Sequence, residues 1–162
     1  MTDPQRPARR VEVARLLPVE ASVAFAWVAD LRTHPRWIPL THLVSPATRG
    51  PEPGDRFTMV SGPVTDRMEV ETIERPSTAA ARVGRTRLRK LGPVLLGAAG
   101  FDVVPVDDRR SRVVWWEEAH LAARAAGPLP RSLTDPLLRL GLWVMMRVSL
   151  SRLGRLLERR GR

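Results

Sequence analysis

The chain has 162 residues, no cysteine and a formal net charge of +10. That length suits one domain with a core of its own, and the missing cysteines exclude disulfide cross-links and thiol chemistry. The charge admits phosphate, anionic lipid or an acidic protein as partners, yet Lys90 is the one lysine among 27 basic residues, an arginine bias that genomic base composition explains as well as binding does.

Residues 1–10 carry Arg6, Arg9 and Arg10 but lack the apolar stretch of a secretory signal. They are expected to form a flexible arm ahead of a single domain at 11–160, and the protein is expected to be cytoplasmic. Residues 11–17 read as a strand stopped by Pro18. Between residues 20 and 31, Val23, Ala24, Trp27, Val28 and Leu31 recur at helical spacing and predict a short helix with one buried stripe. Residues 30–39, with Pro35 and Pro39 flanking Trp37, predict a second helical turn with an abrupt exit. A strand is placed near 42–48, overlapping a proline- and glycine-rich loop at 46–55.

Four or five strands are expected after it, the candidates being 56–61, 64–74, 79–88, 94–106 and 112–122. The turns between them fall at Gly62-Pro63, Pro76-Ser77, Gly92-Pro93 and Asp107-Asp108, which implies consecutive antiparallel hairpins. Gly97 and Gly100 interrupt a strand pattern and mark a bend or bulge. In the basic segment Arg82, Arg85, Arg87, Arg89 and Lys90, positions 85, 87 and 89 share one face, read as the convex, solvated side.

Residues 135–162 predict one long helix. Asp135 suits the cap and Pro136 the first helical position, while Arg152, Arg155, Arg159 and Arg160 suit the negative end of the helix dipole. Leu137, Leu140, Val144 and Val148 form one apolar stripe, and Leu138, Leu142, Met145 and Leu156 a second. Arg139 and Arg147 break the apolar run well short of a membrane span. Gly141 inside the helix implies close approach to the sheet.

The order strand, helix ending in Asp30, Pro35-x-Trp37-x-Pro39, strand meander, Val114-Trp115-Trp116-Glu117-Glu118 strand and long terminal helix resembles the SRPBCC superfamily, the START-like and polyketide cyclase/dehydrase-like group. The resemblance covers about residues 11–158. It implies an α+β helix-grip fold: about seven antiparallel strands curled around the C-terminal helix, two short helices after the first strand, and an apolar cavity between. A fold shared by carriers, cyclases and protein-binding modules does not by itself assign an activity.

Strand parity nominates the cavity wall. Phe57 and Met59, Met68 and Val70, and Phe101 and Val103 share faces and are placed on the concave side. Leu140, Val144 and Met145 are placed opposite on the helix, and Trp37 near the entrance. In the Trp-Glu strand the inward set is Val113, Trp115, Glu117, Ala119 and Leu121 or else Val114, Trp116, Glu118 and His120, the first being more apolar. Either Glu117, or Glu118 with His120, is the candidate for proton transfer, because a carboxyl in an apolar pocket is held protonated to a higher pH. No nucleophile elbow, Walker loop or His-Glu-x-x-His motif is present, and His34, His42 and His120 are too scattered for a metal site. No cofactor or metal is expected.

Three functions follow. Binding or carriage of a hydrophobic small molecule, such as a lipid, isoprenoid or polyketide, requires only apolar volume and ranks first. A cyclase or dehydratase using a cavity carboxylate is the second. The third is a basic module for RNA or for the surface of an anionic membrane. With three Phe and no Tyr, base-stacking platforms are scarce, so specific nucleic-acid binding is not expected.

Overall fold

The computed structural model describes residues 9–44 and 49–160. Most of the arm expected at 1–10, and the far end of the strand placed near 42–48, lie outside them.

Seven strands form one antiparallel sheet in the order β1-β7-β6-β5-β4-β3-β2. They are β1 (Val11–Leu17), β2 (Thr41–Leu43), β3 (Arg56–Ser61), β4 (Val64–Glu74), β5 (Gly84–Pro93), β6 (Leu95–Pro105) and β7 (Ser111–Leu121). Helix α1 (Ala21–Ala29) and the 3-10 turn Leu31–Arg36 follow β1, a short α2 (Ala123–Ala126) follows β7, and α3 (Arg131–Arg160) ends the described chain. This is the expected helix-grip architecture. Among the described residues no helix is long and apolar enough to cross a membrane.

Curvature comes from specific breaks in the ladders. The β4–β5 register shifts between Arg67 and Met68 and again between Val70 and Thr72, each an extra residue that bends and twists the strand. Gly97 has φ +125, and a Cβ there would run into the carbonyl of Glu118 on β7. Gly100 lets two strands and an indole meet, since a Cβ on it would collide with the Thr86 carbonyl and lie 2.6 Å from the Trp116 ring. Gly100→Ala is therefore expected to cost at least about 2 kcal/mol, measured by urea unfolding, because the obstacle includes backbone that a rotamer change cannot move.

Two expected elements are displaced. The strand placed at 79–88 starts at Gly84 and runs to Pro93. Residues 77–82 instead close a turn, with Ser77 N–H donating to the Arg82 carbonyl, the reverse bond at 2.8 Å, and Ala81 at φ +48. The long helix starts four residues earlier than expected, where the Pro130 carbonyl accepts from Leu133 and Thr134. Pro136 thus lies inside α3 rather than at its first position, and the Ser132 carbonyl loses its usual donor.

Of the two stripes expected on α3, the second faces the core, with Leu142 buried and Leu138, Met145 and Leu156 packed against it, and the first does not. Leu142, Met146, Ser149, Leu150, Leu153 and Leu157 are buried, while Leu137, Leu140, Val144 and Val148 are exposed. Apolar residues fall on more than one face of the helix, so periodicity alone left two stripes to choose from. The C-terminal half of α3 lies on β1, where Arg15 Nη1 donates to Ser151 Oγ at 3.1 Å and Gly154 makes room for that guanidinium.

The main core joins β1, α1, β6, β7 and α3 around Phe25, Trp37, Phe101, Trp115, Met146 and Leu153. A second cluster of Leu31, Phe57, Met59, Met68, Val70 and Leu88 lies under β3, β4 and β5. Each large apolar side chain so buried contributes about 1.5–3 kcal/mol.

Candidate functional site

Between the two clusters and the N-terminal half of α3 lies a cavity of about 310 Å³. Most of its wall is apolar, including Met59, Met68, Leu88, Phe101, Trp115, Leu142 and Met145. Of the residues the sequence placed here, Met59, Met68, Phe101, Trp115 and Met145 line it. Phe57, Val70 and Val103 are on the same side of the sheet but are consumed by core packing. Trp37 is fully buried rather than near an entrance: its Nε1 donates to Thr33 Oγ1 at 3.2 Å, and its ring meets those of Trp115 and His34 edge to face. Leu140 and Val144 are corrected outright, being 59% and 46% exposed on the outer face of α3.

Gly141 corrects another expectation. It lines the cavity, and a Cβ there would meet nothing within 4 Å. It is itself exposed, so it marks the rim where the cavity opens, the reverse of close approach.

The more apolar inward set of β7 is the one observed. Val113, Trp115, Glu117 and Ala119 are buried, with Trp115 and Glu117 in the cavity wall. Trp116, on the opposite face, is also buried, roofed by the guanidinium groups of Arg10 at 4.5 Å and Arg87 at 5.4 Å. Glu118 is on that outer face too, 3.7 Å from Arg10 Nη1. The paired Glu118 and His120 therefore stand away from the cavity, neither being part of its wall.

Sequence reasoning missed the partners of Glu117. Lys90 Nζ lies 2.5 Å from Asp66 Oδ2 and 3.2 Å from Glu117 Oε2, all three groups being buried in the cavity wall. Trp115 Nε1 donates to Glu117 Oε1 at 3.2 Å. Among the described residues Asp66 Oδ1 has no hydrogen-bond partner, and Glu117 Oε2 is held by its 3.2 Å ion pair with Lys90 Nζ alone. Burial pushes both carboxyls above their ordinary range, and Lys90 only partly offsets this. For Lys90 itself burial pulls the other way, but Glu117 and Asp66 together outweigh it and its pKa ends raised. The directions are compatible because one ammonium feels two carboxylates, whereas the carboxylates share one ammonium and repel each other.

The other polar wall residues bond inward to protein. Thr41 Oγ1 donates to the Pro39 carbonyl at 3.2 Å, which leaves Ser61 Oγ to donate to Thr41 at 2.6 Å. His34 Nε2 lies 2.9 Å from the Val28 carbonyl, so Nε2 carries the proton and Nδ1 remains an acceptor. Burial lowers the His34 pKa to about 4, more than the Val28 bond and Asp30 restore. A histidine kept neutral in the fold but charged in the unfolded chain stabilises fully above about pH 6.5 and loses that contribution as pH falls toward 4. The stability difference between wild type and His34→Gln is expected to shrink by about 2 kcal/mol between pH 7 and pH 5, as read by urea unfolding.

On the outer face, Arg85, Arg87 and Arg89 project to solvent as expected. They are not a bare cationic strip, since Arg85 pairs with Glu74, Arg87 with Glu71, and Arg89 with Glu69 and Glu71. Among the described residues no cluster of three or more acidic, histidine or cysteine side chains suits a metal ion.

Residues 8–158 match the model of a family described as polyketide cyclase / dehydrase and lipid transport. The chain belongs to that family. Solved structures of similar fold include a hypothetical protein of Helicobacter pylori, with a TM-score of 0.71 at 14% identity over 94% of this chain and 89% of that one. The Zhui aromatase/cyclase from Streptomyces sp. R1128 has a TM-score of 0.65 at 16% identity over 95% and 96%. A Thermobifida fusca protein has a TM-score of 0.60 at 21% identity over 93% of each chain. These likenesses show the fold, the helix-grip architecture that the SRPBCC resemblance implied. No curated protein is similar enough in sequence to be matched.

Proposed function

We propose that the protein binds a hydrophobic small molecule, of the lipid, isoprenoid or polyketide kind, in the cavity between sheet and α3. The observation that carries this reading is the cavity itself: about 310 Å³ within a wall that is mainly apolar and includes three methionines. That volume is at the lower end of small-molecule sites, and methionine side chains adapt to apolar ligands of varied shape. The family description, which includes lipid transport, supports it. Native mass spectrometry of protein purified from its own host tests it. An apolar molecule held one per chain is the expected result, and protein that stays ligand-free there and also fails to take up apolar probes contradicts the reading.

A second reading is favoured by one specific feature, the buried Glu117 carboxyl in the cavity wall. A carboxyl whose pKa is raised by burial, and which faces the Lys90 ammonium at 3.2 Å, is suited to deliver or remove a proton during a cyclisation or dehydration. The Zhui protein, described as an aromatase/cyclase, shares the fold. On this reading Glu117→Gln purified from the same host carries a different molecule from wild type, heavier by one water for a dehydration. The same molecule in both proteins counts for binding alone.

A further inference from the structure

Taken as ionised groups, Asp66, Lys90 and Glu117 carry two negative charges and one positive, in a wall that is otherwise mainly apolar. A buried excess charge is costly unless a proton or a cation neutralises it, and a bound cation displaces the proton. The hydrogen-bonding inventory of the wall points the same way. The polar lining side chains turn donors to protein acceptors: Lys90 to Asp66, Trp115 to Glu117, Thr41 to Pro39, Ser61 to Thr41 and His34 to Val28. Lys90 spends two of its three N–H groups on Asp66 Oδ2 and Glu117 Oε2, and what the wall leaves are chiefly acceptor sites, namely Asp66 Oδ1, the remaining lone pair of Glu117 Oε2 and His34 Nδ1.

We propose that the ligand of this cavity is an apolar amine, whose ammonium donates to Asp66 Oδ1 and Glu117 Oε2 and supplies the missing positive charge. The inference rests on the cavity being a ligand site and adds the chemistry of the head group. A carboxylic acid would place a third carboxylate beside two others. A ketone would bring a further acceptor to a site already rich in them. An alcohol can donate one bond but leaves the charge uncompensated.

The test is displacement of the neutral fluorophore N-phenylnaphthylamine from the wild-type protein near pH 7 by four matched compounds: decylamine, decanol, decanoic acid and methyl nonyl ketone. Decylamine is expected to compete about tenfold more tightly than decanol, as charge-assisted bonds outweigh neutral ones, with the ketone weaker than the alcohol and the acid weakest. In Glu117→Gln, which removes one negative charge and keeps the shape, the advantage of amine over alcohol should fall to within about threefold. Asp66→Asn provides the same comparison if the first variant does not fold. Equal or tighter competition by the acid, the ketone or the alcohol overturns the amine assignment while leaving the cavity a ligand site. A fluorophore that does not bind at all, together with no binding of decylamine by calorimetry, removes the ligand site and this inference with it.

Discussion

Lys90→Met is expected to cost about 3–5 kcal/mol of unfolding free energy at pH 7.5, because it strands two buried carboxylates that now share one ammonium. Methionine fits the aliphatic part of the lysine stem, so loss of charge rather than loss of volume dominates. The deficit should depend on pH in a defined sense. Burial already raises both carboxyls, and without Lys90 they rise further. A carboxyl with a raised folded pKa destabilises progressively as pH climbs above its unfolded value, about 4, and does not do so below it. Urea unfolding of the variant should therefore show a smaller deficit at pH 5 than at pH 7.5. Adding Asp66→Asn to Lys90→Met should restore part of the loss, since the two groups are in contact and their effects are not additive. A deficit below about 1 kcal/mol at pH 7.5 would mean that the three groups are not coupled as described.

Gly141→Trp is expected to abolish uptake of an apolar molecule with the fold intact. Gly141 lines the cavity at an exposed position and a Cβ there meets nothing within 4 Å, so an indole carried there lies across the rim and obstructs the ligand's entry. Replacing glycine in a helix interior also favours the helix by about 0.5 kcal/mol. Affinity for N-phenylnaphthylamine should fall tenfold or more while the thermal midpoint stays level or rises. Val144→Trp is the internal control. Val144 points outward from the same helix, so an indole there should leave the affinity unchanged.

What was legible in the sequence follows from how far local pattern determines burial. The bounds of β1, β3 and β4 could be read directly, because each is closed by proline, glycine or a charged turn and alternates in polarity. The inward parity of β7 was readable from Val113, Trp115 and Ala119 for the same reason. In α3, by contrast, apolar residues occupy several faces, and only tertiary contact decides that Met146 and Leu153 go in while Leu140 and Val144 stay out. Lys90 was hidden inside a run of arginines that face solvent. The signal for it existed, since Lys90 follows Leu88 by two residues, Asp66 precedes Met68 by two and Glu117 follows Trp115 by two. Three charged groups on three apolar faces become a cluster only when the register of β4, β5 and β7 is known. Whether side chains on a concave face fill space or border it was also beyond local pattern, which is why Phe57, Val70 and Val103 belong to the core and Met59, Met68 and Phe101 border the cavity.

The central claim is that the space between sheet and α3 holds a hydrophobic molecule. It is tested most directly by titrating N-phenylnaphthylamine into the wild-type protein and into Gly141→Trp, following the fluorophore's emission. Saturable binding of one molecule per chain by the wild type, lost in Gly141→Trp, is the predicted result. No saturable binding by the wild type, or equal binding by both proteins, would contradict it.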